Sequence, residues 1–265
     1  MDPATSRRRF LLSSLGGIAS LLVRAGAAHA DDKDAAPRLV IVNADDLGLS
    51  AEIDRGIFEA HDGGIVTSAS LLVDGPDAEA AVRQARPRRN LGLGIHVAFD
   101  ERGKLFVDTQ DLAAVRREID RQLTLFVRLT GEPPTHIDSH HHLHRLFNVA
   151  RLFLEAGRRY GVPVRGFSEV VYVGRFYGQP EFGRADMSKI SVEALVSLLQ
   201  SLRPGITEVS CHPGHLETRP DAVYNREREV ELQTLTNERV KAVIAQEGIR
   251  LINYRDYGQL TRARR

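Results

Sequence analysis

The chain of 265 residues is 42% hydrophobic and 27% charged, a composition that excludes a disordered tail and a coiled-coil rod. Residues 1–30 contain four Arg and one Asp, so residues 31–265 carry 32 basic and 34 acidic side chains and lack the positive charge of a nucleic-acid-binding protein. The single cysteine, Cys211, excludes an internal disulfide.

The first 30 residues have the pattern of a twin-arginine export signal. The motif is SRRRFLL at 6–12, and it is followed by an apolar run and by Ala28-His29-Ala30. The apolar run at 10–23 has 14 residues, fewer than the ~20 that a transmembrane helix needs. We therefore expect cleavage after Ala30, a short linker at 31–37, a periplasmic location and no stable membrane insertion of the cleaved protein.

From residue 38 to residue 265, short apolar runs alternate with amphipathic segments, which predicts a single α/β domain. Strands are predicted at 38–43, 68–73, 90–98, 135–138, 164–167, 206–212 and 249–252. Helices are predicted at 51–62, 77–85, 111–130, 145–160, 192–202 and 226–246. About seven parallel strands joined by helices favour a barrel over the alternative, a doubly wound open sheet. The stretch at 168–190, rich in glycine and aromatic residues, is predicted to be a long functional loop.

Two adjacent carboxylates, Asp45 and Asp46, follow the first predicted strand. Reactive groups of a parallel barrel collect at the carboxyl ends of its strands. A divalent cation there would keep both acids ionised, so that one could bind the ion while the other accepts a proton from water. The alternative interpretation is a polar turn that leads into the next helix.

The third predicted strand alternates apolar residues with Gly92, Gly94 and His96. His96 is therefore predicted to face an interior cavity that the two glycines make spacious. Taken alone, a histidine in this position is more often a hydrogen-bonded core residue than a metal ligand.

Five of the ten histidines occur in the nine residues HIDSHHHLH at 136–144. In an extended chain one face would carry every second residue, namely His136, Asp138, His140, His142 and His144. Burying so many imidazoles is costly unless they bind metal or form hydrogen bonds. This predicts a metal site, with Asp138 orienting a histidine ring. The alternative is a solvated histidine-rich tract.

The sixth predicted strand ends in SCHPGH at 210–215, where Ser210 and His212 share the interior face. The ordinary histidine pKa of ~6.5 suits proton donation near neutral pH, so His212 is predicted to protonate a leaving group. Turn chemistry at Pro213-Gly214 is the alternative. Cys211 is expected to pack as a small apolar residue, and no role is assigned to His215.

Five segments resemble, in family order, the YdjC-like carbohydrate deacetylases, the family that includes chitooligosaccharide deacetylase. They are IVNADDLGLS at 41–50, GIVTSASLLVDG at 64–75, GLGIHV at 92–97, THIDSHHHLH at 135–144 and EVSCHPGH at 208–215. The resemblance implies a distorted (βα) TIM-like barrel, metal-dependent deacetylation of N-acetylated sugars, and a homodimer. By position it implies that Asp46, His96 and His140 bind one divalent ion and that Asp45 is the base, with His212 on the family's His-Pro motif.

The resemblance leaves the ion and the sugar open. The family is often associated with Mg²⁺, whereas two imidazoles and one carboxylate suit Zn²⁺, Co²⁺ or Mn²⁺ better. The segment between His96 and His136 is shorter than in the chitooligosaccharide enzymes, and members of the family are mostly cytoplasmic. The candidate substrates therefore include glycans derived from peptidoglycan, glycans derived from chitin and other acetylated glycans.

Two other functions are compatible with these residues. A metal-dependent phosphoesterase is disfavoured because the motifs contain no cluster of Arg or Lys. A periplasmic metal-binding or glycan-binding protein without catalysis is disfavoured because binding alone does not require Asp45 beside Asp46.

Overall fold

The computed structural model describes residues 36–101, 104–181, 183–218 and 223–263. The export signal predicted at 1–30 lies outside these residues, as does most of the linker predicted at 31–37. Within the described ranges, no helix is both long enough and apolar enough to cross a bilayer.

The strands and helices alternate over most of the described chain. The strands are β1 (Arg38–Leu47), β2 (Ser68–Leu71), β3 (Gly92–Val97), β4 (Asp100–Glu101), β5 (Lys104–Leu105), β6 (Ile137–Ser139), β7 (Val171–Val173), β8 (Gly205–Cys211) and β9 (Arg250–Leu251). The helices are α1 (Ala51–Asp62), α2 (Ala78–Ala85), α3 (Leu112–Thr130), α4 (Phe147–Tyr160), α5 (Val192–Gln200), α6 (Arg226–Leu235), α7 (Glu238–Gln246) and α8 (Tyr254–Ala263). Two 3₁₀ helices cover His140–Arg145 and Met187–Ile190.

The main sheet has the strand order β6-β3-β2-β1-β8-β7, and all its neighbouring strands are parallel. The last long strand, β8, thus pairs with the first strand, β1, which is the cyclic order of a barrel. The short β9 pairs with the beginning of β1, while β4 and β5 form a separate hairpin. Backbone hydrogen bonds from Ile137 to the segment 163–165 extend the sheet beyond β6. The prediction of a single-domain α/β fold with a distorted TIM-like barrel is confirmed.

Helices outside the sheet bury the apolar residues that the sequence pattern marks as core. In α1, the Ser50 side chain accepts a hydrogen bond from the Ile53 backbone, and Ile53 and Ile57 are fully buried against the sheet. Burying one such side chain contributes roughly 1.5–3 kcal/mol to stability. The interior of the barrel is polar by contrast, since it contains buried Asn43 and Ser70 as well as charged side chains.

Three predicted elements differ from the structure. The strand predicted at 164–167 is a single bridge at Val164, and the strand β7 lies inside the stretch predicted to be a loop. The helix predicted at 226–246 is divided into α6 and α7, because the Asn237 side chain caps a new helix by accepting a hydrogen bond from the Arg239 backbone. The helix α8 was not predicted.

The floor of the barrel is closed by the first residue of α8. The Tyr254 backbone amide donates to the Ser68 hydroxyl (3.1 Å), its phenol donates to Glu208, and its ring stacks on His136 at 4.0 Å. A Cβ atom on Gly94 would lie 2.2 Å from the His136 ring. The space beside the strand glycines is therefore filled by side chains and is not the open cavity that the sequence predicts.

Candidate active site

A bulge at the end of β1 brings two neighbouring carboxylates to one site. Successive residues of a regular strand point to opposite faces, but the pairing of β1 with β2 shifts register between Ala44 and Leu47. Within the bulge Asp46 has a φ of 71°, a left-handed conformation that costs a residue with a side chain about 1–3 kcal/mol. Asp46 Oδ1 lies 3.4 Å from His96 Nε2, and Asp45 enters the same network through Arg165.

Asp45 is held by three hydrogen bonds. Arg165 Nη1 and Nη2 donate to its two oxygens at 2.7 Å each, and Asn43 Nδ2 donates at 2.8 Å. Burial opposes ionisation of the carboxyl, but the charge and hydrogen bonds of Arg165 outweigh it and lower the pKa of Asp45. The carboxylate is therefore ionised and fixed in one orientation.

Arg165 is the centre of the buried ion-pair network and was not among the predicted site residues. It is 1% exposed, and besides Asp45 it contacts Glu208 (2.8 Å) and Asp138 (2.7 Å). These partners lie on β1, β8 and β6, so one guanidinium joins three strands of the barrel. A sequence signal was available, since an arginine next to Val164 in a predicted buried strand needs acidic partners.

A second arginine, Arg228 of α6, donates to Asp46 Oδ2 at 2.6 Å. Burial opposes the charge of Asp46, but Arg228 and the nearby imidazoles of His96 and His140 keep the pKa of this carboxyl well below its usual range. The site thus contains two arginines that the motifs did not reveal. Both are already paired with carboxylates, so they do not form a free cationic pocket for a phosphate group.

The sheet register places Asp138 beside His96. The two residues are partners across β3 and β6, and His96 Nδ1 lies 2.7 Å from Asp138 Oδ1. Burial disfavours the charged ring, but Asp138 and Asp45 outweigh this effect and raise the pKa of His96 to about 10. The carboxylates around His96 thus stabilise a positive charge at this position.

The histidine run leaves the extended conformation directly after β6. Residues His140–Arg145 form a 3₁₀ helix in which His141 and His142 have φ of 52° and 55°, so the prediction of one shared histidine face is wrong. His140 Nδ1 pairs with Asp100 Oδ1 at 2.9 Å, and its ring centroid lies 5.8 Å from that of His96.

Of the remaining four histidines, His141 faces Asp100 as His140 does, whereas the other three form hydrogen bonds with uncharged partners. His136 contacts Ser70 (3.0 Å), His142 contacts Tyr172 (3.1 Å), and His144 contacts Ser139 (2.8 Å). Burial lowers the pKa of His136 and of His142 to about 4 and that of His144 to about 3. These three rings are therefore neutral at neutral pH.

The predicted ligand set is chemically suited to a divalent ion. The buried oxygen Asp46 Oδ1 has no hydrogen-bond partner in the described part of the chain. The Nδ1 atoms of His96 and His140 each face a carboxylate, an arrangement that leaves Nε2 for an ion.

The described residues contain two clusters of three candidate ligands whose atoms lie close to one another, and neither cluster is the predicted set as a whole: Asp45, His96 and Asp138, and Asp100, His140 and His141. In the first cluster, Arg165 forms ion pairs with both carboxylates, Asp45 and Asp138. In the second cluster, Asp100 lies against the Nδ1 side of His140. Each cluster therefore includes one of the predicted histidine ligands together with the carboxylate that orients it.

His212 also lies near Asp45, with its Nε2 3.9 Å from Asp45 Oδ2. Its backbone amide donates to Glu231, whose Oε1 lies 4.0 Å from His212 Nδ1. Burial lowers the pKa of His212 to about 4 and raises that of Glu231 to about 8. His212 is therefore neutral at neutral pH, and the ordinary histidine pKa predicted for it from the sequence is wrong. Glu231, on α6, was not predicted.

His144 is expected to make the protein less stable in acid. Its folded pKa of about 3 lies below the ordinary ~6.5, so only the unfolded chain takes up this proton as the pH falls from 6.5 toward 3. Urea unfolding between pH 7 and pH 4 should show a steeper loss of unfolding free energy for the wild type than for His144→Phe, by up to ~1.4 kcal/mol per pH unit.

His141→Phe is the matched control for this experiment. A hydrogen bond with Asp100 raises the pKa of His141, so its contribution to stability is present at low pH and is lost as the pH rises. Below about pH 6.5 both the folded and the unfolded chain hold this proton, so the slope of His141→Phe between pH 6.5 and pH 4 should match that of the wild type, and a difference should appear only above pH 6.5. Equal slopes for the wild type and His144→Phe would contradict a neutral buried His144.

Comparison with known proteins identifies the family of the chain. Residues 39–246 match the family model described as YdjC-like protein. A carbohydrate deacetylase from Geobacillus stearothermophilus is 33% identical over 255 residues, covering 84% of this chain and 100% of that protein. A carbohydrate deacetylase from Clostridium beijerinckii is 30% identical over 251 residues, covering 82% and 99% of the two chains.

A solved structure has a similar fold. The crystal structure of a candidate cellobiose-phosphate cleavage protein from Enterococcus faecalis has a TM-score of 0.72 and 27% sequence identity. The match covers 83% of this chain and 99% of that one. The family predicted from the five sequence segments is thereby confirmed, and the chain belongs to the YdjC-like protein family.

Proposed function

We propose that this protein is a carbohydrate deacetylase that hydrolyses the acetamide of an N-acetylated sugar and releases acetate. Relatives named carbohydrate deacetylase support this function. The observation that carries it is the placement of two acids with different partners: Asp46 points an unpartnered oxygen toward His96, and Asp45 is held beside it as a separate ionised group.

Asp46, His96 and His140 would hold one divalent ion, either Zn²⁺ or Mg²⁺. When bound, the ion supplies a Lewis acid that polarises the acetyl carbonyl and makes a water molecule more acidic. Asp138 and Asp100 keep the two imidazole rings oriented through their Nδ1 atoms. Arg228 holds the second oxygen of Asp46 and limits the rotation of that carboxylate.

Asp45 acts as the base in this proposal. Arg165 keeps it ionised, so it can accept the proton of the attacking water as the new C–O bond forms. His212 is neutral and lies 3.9 Å from Asp45, so it can receive that proton and pass it to the sugar nitrogen as the C–N bond breaks. The products are acetate and a free amino sugar.

We also propose that the protein acts in the periplasm. The supporting observation is the sequence SRRRFLL at 6–12 with the apolar run and small residues after it. Detection of a chain shortened by about 30 residues in a periplasmic fraction would test this proposal. A homodimer remains an expectation from the family resemblance.

Acetate release is the direct test of the proposed function. The purified protein is incubated with N-acetylated chitooligosaccharides and with peptidoglycan fragments, before and after chelation, and then with Zn²⁺ or Mg²⁺ restored. We expect one acetate per free amine, loss of activity on chelation and recovery with metal. Phosphate release from sugar phosphates serves as the contrasting assay. Metal-loaded protein that releases no acetate from any of these substrates would refute the proposed function.

A further inference from the structure

An aromatic wall formed by Tyr177 and Tyr224 covers the imidazole of His212. The rings of Tyr177 and Tyr224 stack face to face, with centroids 4.8 Å apart and an interplanar angle of 2°. Both rings meet the imidazole of His212 edge-on, at 5.3 Å and 5.6 Å. The two tyrosines come from separate loops, and Tyr177 belongs to the stretch at 168–190 that the sequence marks as functional.

The backbone around Tyr177 is firmly anchored. Phe176 is buried, and the Gly178 amide donates to the Tyr224 phenol at 2.6 Å. A Cβ atom on Gly178 would lie 2.9 Å from that same phenol oxygen, so the two loops approach as closely as glycine permits. The position of the Tyr177 ring is therefore fixed before any substrate binds.

The two phenols of the wall differ in their partners. The Tyr224 hydroxyl donates its hydrogen bond to Glu231, so its proton already has a partner within the protein. Tyr177 is half-buried, and in the described part of the chain no hydrogen bond to its hydroxyl is found. Burial and the charge of Asp46 raise the pKa of Tyr177, so its phenol is protonated at neutral pH and can donate a hydrogen bond.

We propose that Tyr177 binds the sugar ring that carries the scissile acetamide. This inference rests on the proposed function, in which His212 protonates the sugar nitrogen, so that the sugar itself must lie against His212. Both tyrosines of the wall are half-buried, but only the Tyr224 hydroxyl has a hydrogen bond in the described part of the chain. Its ring offers an apolar surface for the C–H face of a pyranose, and its hydroxyl binds a sugar hydroxyl. The subsite therefore selects an N-acetylated sugar over a simple acetamide.

Two variants separate the contributions of the ring and the hydroxyl. Tyr177→Phe keeps the ring and loses one hydrogen bond, so we expect KM for an N-acetylated chitooligosaccharide to rise roughly fivefold with kcat near the wild-type value. Tyr177→Ala also removes the wall and should raise KM further. Tyr160→Phe, at the end of α4, is the matched control and should leave both constants unchanged.

The outcomes distinguish this inference from the proposed function. A higher KM for Tyr177→Phe, with unchanged urea unfolding, supports a sugar contact. Wild-type constants in Tyr177→Phe, or a fall in kcat alone, would overturn it. An inactive wild type would instead refute the proposed function.

Discussion

Replacing Asp45 with Asn is expected to lower kcat by roughly 10²–10⁴-fold, the usual contribution of a positioned base. The amide has nearly the same shape as the carboxylate, and its one oxygen can still accept the hydrogen bonds that Arg165 Nη2 and Asn43 donate to Asp45 Oδ1 in the native protein. It cannot accept the proton of the attacking water. Steady-state acetate release gives the rate, and urea unfolding reports whether the variant folds.

Asp46→Asn is the control that separates the two neighbouring acids. Asp46 provides the unpartnered buried oxygen that faces His96, so its replacement should reduce the amount of bound metal. Asp45→Asn should retain the wild-type metal content, measured by elemental analysis of the dialysed protein. An Asp45→Asn variant that hydrolyses substrate at the wild-type rate would show that Asp45 is not the base.

Replacing Arg165 with Met is expected to lower the free energy of unfolding by about 3–5 kcal/mol, the range for breaking a buried ion pair. The guanidinium contacts Asp45, Asp138 and Glu208, all buried, and its loss would leave these groups without their common counter-charge. Urea unfolding at neutral pH measures the effect.

The matched control is Arg159→Met, which removes an exposed ion pair with Asp120 and should change stability by less than about 1 kcal/mol. A second variant, Arg165→Lys, keeps the charge but cannot bind several carboxylates in the planar geometry of a guanidinium. It should be more stable than Arg165→Met but still have a reduced kcat. Wild-type stability in Arg165→Met would contradict the central role assigned to the network.

The residues of the proposed site could be placed from the sequence where strand periodicity applies. Asp45 and Asp46 follow a strand of clear apolar pattern, and His96 and Asp138 lie on strands whose parallel pairing brings them together. The conformations beyond the strand ends could not be placed. The left-handed backbone of Asp46 and the 3₁₀ helix that begins at His140 depend on tertiary contacts, because local propensity disfavours positive φ in such residues.

The arginines that lower the pKa of Asp45 and Asp46 were harder to predict because they are distant in sequence. Arg165 lies 120 residues from Asp45, and Arg228 lies 182 residues from Asp46. The distance between two such residues along the sequence gives no indication that they are in contact. The lowered pKa of His212 could not be predicted for the same reason. It depends on burial against Tyr177 and Tyr224, which belong to other segments of the chain.

The contacts of Tyr254 bear on when the chain can fold. Strand β1, near the amino terminus, pairs with β9, and the phenol that completes the interior comes from residue 254, beyond the matched region 39–246. A nascent chain therefore lacks this wall of its barrel until residue 254 has been synthesised, and the barrel can close only after that point. Transport of an already folded protein, as the proposed twin-arginine route provides, fits that order of events.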